Sequence, residues 1–135
     1  MSLPEMSAEL EEHLAVARDS AKSAPVQTVI GRLHDLCLLS VDAHLTGVRQ
    51  KASDAEMRRM IAIFQDYMSI CNSVAARDGL TVEQADNLKV FVDHTRERVA
   101  SVTESLERRA RGRTSRPATA ATSIQSLTHL LTRPW

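Results

Sequence analysis

From residue 85 onward, apolar and small side chains recur at alternating spacings of three and four: Ala85, Leu88, Val92, Thr95, Val99, Val102 and Leu106. A strand alternates by two, so only an α-helix gathers such positions on one face. Three heptads of seam predict a helix of about 30 residues, ~45 Å long. Thr81 and Gln84 have capping-box spacing at its start, with Leu80 placed to staple onto the first turn. Just upstream, Met57, Met60, Ile61, Phe64, Tyr67, Met68, Cys71 and Val74 follow the same rule. That helix opens at Ser53-Asp54-Ala55-Glu56, a capping box with acids where the helix dipole favours them. Gly79, after Arg77 and Asp78, is expected to close it as a left-handed cap. Two long amphipathic helices joined by so short a connection predict an antiparallel hairpin.

Two more helices are expected upstream. The first runs from Leu3 to about Lys22, with Ser2 and Glu5 at capping-box spacing and a modest stripe of Met6, Leu10, Leu14, Ala17 and Ala21. After Ser23-Ala24-Pro25 a second runs from Val26 to about Lys51. Ile30, Leu33, Cys37, Val41 and Val48 fall on one face of it, while Val29, Leu36 and Leu39 fall on another. A helix apolar over so much of its girth is buried on two sides, as a central helix or as one face of a dimer. The fold class is therefore read as all-α, an up-and-down four-helix bundle with a short C-terminal helical segment on a flexible basic arm. The division is 1–111 for the bundle domain, 112–122 for a basic, small-residue linker and 123–135 for a short amphipathic docking segment.

Composition agrees with helix-on-helix packing. Aromatics are limited to Phe64, Tyr67, Phe91 and Trp135, which leaves Ala, Leu, Val and Met to fill the core. No basic, apolar leader pattern opens the sequence and no apolar stretch reaches the ~20 residues of a membrane helix, so a cytoplasmic setting is expected. The two cysteines, Cys37 and Cys71, lie far apart within apolar patterns and read as buried thiols. The net charge of zero hides a division: residues 1–107 carry 17 acids against 11 Lys and Arg, whereas residues 108–135 carry six arginines and no acid. Such asymmetry concerns partners and long-range attraction.

Several chemical constellations invite a test. His34, Cys37 and His44 share one side of the second helix and Cys71 sits on the apolar face of the third, a donor set that suits zinc or copper. His44 nevertheless lies ten residues from His34, ~15 Å along a helix, so packing is the expected role and no cofactor is assigned. Di-iron sites in bundles need Glu-x-x-His, and no acid precedes any histidine by three. The run His44-Leu45-Thr46-Gly47 resembles the histidine phosphotransfer signature, His-x-Leu-Lys-Gly. It departs from that pattern in an early glycine and a missing lysine, which puts a phosphoacceptor role for His44 in doubt. Isolated glycines form no phosphate cradle, and the paired acids sit at helix starts or exposed faces. No enzymatic activity is expected.

What remains points to association. Arg108, Arg109, Arg111, Arg113 and Arg116 crowd together; they read as a solvated helix terminus whose charge complements the dipole, as a contact for an acidic protein surface, or as a contact for nucleic-acid phosphates. No aromatic interleaves them for base stacking, which favours protein over nucleic acid. Ile124, Leu127 and Leu131 space out one greasy stripe, followed by Trp135, a residue type favoured at interface anchors. The expected function is thus a non-catalytic protein–protein interaction module: an adaptor, chaperone or assembly component. Its contacts are expected at Val29, Leu36, Leu39, the arginine cluster and the 123–135 segment, with a protein partner or further copies of itself in a homo-oligomer. Nucleic-acid binding through 108–116 is the first alternative, and metal binding through His34, Cys37, His44 and Cys71 the second. In general look the chain resembles the small helical chaperones of flagellar and type III secretion systems, which implies a bacterial-type protein with a chaperone-like role.

Overall fold

The computed structural model describes residues 1–114, and four helices account for nearly all of them: α1 Leu3–Ser20, α2 Val26–Arg49, α3 Asp54–Ala75 and α4 Val82–Thr114. No strand occurs among the described residues, and no described helix is long and apolar enough to cross a membrane. The starts follow the sequence signals. Ser53 Oγ accepts from the Glu56 N–H at 3.1 Å, while the Ser53 N–H donates to Glu56 Oε1 at 2.9 Å. Thr81 and Gln84 exchange the same pair of bonds at the start of α4.

The ends depart from expectation, each for a local reason. α2 stops at Arg49 because Lys51 takes a left-handed backbone, φ 52°. The Lys51 N–H then donates to the Val48 carbonyl and the Ala52 N–H to the Gly47 carbonyl, closing a Schellman turn with Ala52 buried behind it. α3 stops at Ala75, before the expected cap; Gly79 does turn left-handed, φ 83°, but within the connecting loop. Arg77 leaves the helix to donate to the carbonyls of Ala21 and Ala24, 3.0 and 2.7 Å away, tying the two connecting loops together. α4 continues through Gly112 to Thr114, into the stretch expected as linker. The remainder of 112–122 and all of 123–135 lie outside the described residues.

Sequence neighbours run antiparallel, and hydrogen bonds fix the rest. Glu11 with Arg59 and Arg18 with Asp66 set α1 parallel to α3. Gln27 with Gln84, Ser40 with Arg98 and Ala52 with Arg109 set α2 parallel to α4. The hairpin α1–α2 thus lies against the hairpin α3–α4, with α2 and α3 across the middle and α1 and α4 at opposite corners. The core that results is filled by Leu3, Leu14, Leu33, Met57, Met60, Phe64, Tyr67, Leu88 and Val102, all fully buried. α3 touches all three other helices, so its buried face is wider than the expected stripe and takes in Ile63 and Ile70 as well. On α4, Phe91 joins the seam and Ala85 falls outside it, exposed.

Candidate functional site

Of the donor set His34, Cys37, His44 and Cys71, the fold brings Cys37 and Cys71 together beside Tyr67 but does not complete a site around them. Among the described residues no three His, Cys, Asp or Glu side chains gather where an ion could sit. His34 is exposed on α2, its ring tilted against Phe91 of α4 at 6.0 Å. The place beside Cys37 is taken by a cation already: Arg98 Nη2 stands 3.7 Å from its sulfur, donates to the Ser40 and Thr95 hydroxyls, and lies 5.5 Å over the Phe64 ring. A second cation at that point would face direct repulsion. Burial pushes the Cys71 thiol up to about 12, so it stays protonated and unreactive at neutral pH. Tyr67, held by the same burial in its neutral form, donates to the Leu33 carbonyl at 2.6 Å.

His44 sits at the inner edge of α2, 6.5 Å from the Phe64 ring. Burial first, and the Arg98 charge second, lower its pKa to about 4. The ring is consequently neutral across the physiological range and faces the core as the sequence suggests. Gly47, one turn on, is buried.

The arginine-rich end of α4 is partly committed to the fold. Arg109 donates to the Ala52 carbonyl at 2.7 Å and to Asp54 at 3.1 Å, and Arg113 reaches the other Asp54 oxygen at 3.0 Å. These guanidinium groups hold the Asp54 carboxyl below the usual range. Arg108 donates to Ser105 within its own helix. The cluster therefore fastens the last turns of α4 to the start of α3, a local use of its charge that sequence proximity alone did not reveal. Arg116, with Ile124, Leu127, Leu131 and Trp135, lies outside the described residues.

The expected partner face of α2 needs correction. Val29 and Leu36 are 0% and 4% exposed, and Leu39 is half-buried against the same core. That side of α2 faces α1, as the Arg32 to Ser20 hydrogen bond across the hairpin requires. The two-sided greasiness is consumed inside the chain, with α1 on one side and α4 on the other. The solvent-facing margin of the face that carries Ile30, Val41 and Val48 is left over. Leu38 and Leu45 are 55% and 48% exposed, one heptad apart, with Val41 and Val48 half-buried between and beyond them. Together with His34 they read 34, 38, 41, 45, 48, alternating steps of four and three. The signal was legible as a seam in the sequence; two better-populated apolar faces on the same helix masked it.

Compared with protein-family models, curated proteins and solved structures, the chain gives no match.

Proposed function

We propose that this chain is a non-catalytic protein–protein interaction module, an adaptor, chaperone or assembly component built on an up-and-down helical bundle. The observation that carries the reading is the leftover apolar seam of α2, since a surface helix with two exposed leucines in heptad register is an interaction signature. The C-terminal segment supplies a second contact. Its Ile124, Leu127 and Leu131, with Trp135 as anchor, supply apolar contacts to the same partner. The positive charge concentrated at residues 108–116 adds salt-sensitive attraction to an acidic partner.

Truncation after Arg116 tests the reading. The truncated chain keeps its helical circular dichroism but captures its protein partner more weakly, and Trp135 emission in the intact complex is blue-shifted. Unchanged capture, with Trp135 emitting like free tryptophan, refutes the role of the segment. Retention of nucleic acid in place of protein, lost when Arg108 and Arg111 are neutralised, would instead favour the nucleic-acid alternative.

A further inference from the structure

We propose that the exposed seam of α2 is a self-association surface that pairs antiparallel with the same seam of a second copy of this chain. The proposal rests on the interaction-module reading and deepens it by naming one partner.

The register is that of a coiled coil. Leu38 and Leu45 fall at one core position of a heptad, and His34, Val41 and Val48 at the other. The rest of α2 is already held by α1, α3 and α4, so the helix is formed before any partner arrives. The seam's backbone needs no further ordering on association, only its exposed side chains do, which lets a short seam act where an isolated peptide of that length could not. Leu38 and Leu45 each remove roughly half their surface from water if covered, and loss of apolar surface from water favours association.

Charge selects the partner and the direction. Along the outer flank of the seam, at positions 35, 42 and 49, stand Asp35, Asp42 and Arg49, all exposed. The inner flank, at 37 and 44, carries Cys37 and His44, which face α4 and its Arg98. In a parallel pair, Asp35 and Arg49 would each lie level with its own copy. In an antiparallel pair, Leu38 packs opposite Val48 of the second copy and Val41 opposite its Leu45. Asp35 then meets Arg49 of the second copy, twice by symmetry, while Asp42 meets Asp42 near the two-fold axis. Two attractions outnumber one repulsion, and the interface closes on itself as an isologous dimer.

Sedimentation equilibrium on the full chain is the test. A concentration-dependent mass rising toward twice 14.9 kDa is expected. The double variant Leu38→Glu/Leu45→Glu alters exposed positions only and keeps its helical spectrum, yet stays monomeric. Asp35→Arg and Arg49→Asp each weaken the dimer at least tenfold, and the two together restore it. Asp42→Asn tightens it, because the like pair at the axis disappears. A full chain that is monomeric throughout, or a dimer indifferent to the double variant, overturns the proposal. So does a charge swap that fails to restore association, since the antiparallel direction is then wrong. A chain that dimerises only after truncation at Arg116 also overturns it, by assigning the seam to the chain's own C-terminal segment. The two readings separate cleanly: loss of the dimer with partner capture intact sinks this proposal alone, and loss of capture with the dimer intact sinks the docking segment alone.

Discussion

Replacing Phe64 with alanine probes the packing account at its centre. Phe64 is 0% exposed, sits mid-way along α3, and is covered by the guanidinium of Arg98 and the ring of His44. Truncation removes the six ring carbons and leaves the benzylic carbon as a methyl group, and buried Phe→Ala changes cost about 3–5 kcal/mol. Collapse cannot relieve much of this, because α3 is braced by three neighbours and each is tied to another by hydrogen bonds. The cation–π contact is lost as well, roughly 0.5–1 kcal/mol at a partly covered site. A loss of about 4 kcal/mol is therefore expected, a large share of the 5–15 kcal/mol typical of a domain. Urea denaturation followed by helical circular dichroism measures it, with a midpoint lowered by about 2–4 M for a slope of about 1–2 kcal/mol/M. Leu38→Ala, on the exposed seam, serves as control and should shift stability of the monomer by no more than ~0.5 kcal/mol. A Phe64→Ala loss below ~1 kcal/mol would show that α3 is not packed on all three neighbours and would refute the reasoning.

Other perturbations have equally definite outcomes. Lys51→Gly frees the left-handed residue of the Schellman turn from its side-chain clash and should raise stability by about 0.5–1 kcal/mol in the same urea assay; a loss means the turn is not formed. His44 binds a proton near 6.5 in the unfolded chain but only near 4 when folded, so stability is full above pH 6.5 and falls as pH drops toward 4. The shift corresponds to about 3 kcal/mol at most, and partial solvent access trims this to about 1–2 kcal/mol. His44→Gln should flatten that segment of the stability profile, and an unflattened profile means another group titrates. Asp54→Asn weakens the hold of α3 on Arg109 and Arg113, so amide exchange at residues 109–114 should quicken while exchange in the core of α3 does not; unchanged exchange would show the bridges to be idle.

The sequence and the structure agree where a local rule governs and part where tertiary context does. Capping boxes at Ser53 and Thr81 are written in three-residue spacings and appear as expected. Helix ends are different: Lys51 turns left-handed and Arg77 leaves α3 because of bonds to distant carbonyls, which no local pattern encodes. The breadth of the α2 apolar surface was legible, but its assignment was not. Periodicity tells that Val29 and Leu36 are buried; only the position of α1 tells that they are buried within the chain. The same crowding hid Leu38 and Leu45. For the arginines, the +6 balance of residues 108–135 was plain, yet the pairing of Arg109 and Arg113 with Asp54 depended on α4 lying against the start of α3.

The interaction-module reading meets its most direct test in affinity capture from the native host. The full chain, the chain truncated after Arg116 and the Leu38→Glu/Leu45→Glu variant are immobilised in parallel, and retained proteins are identified by mass spectrometry. The account predicts a discrete protein partner held by the full chain and depleted at least tenfold by truncation. Retention of the same proteins by full and truncated chains alike, at equal strength, would contradict it.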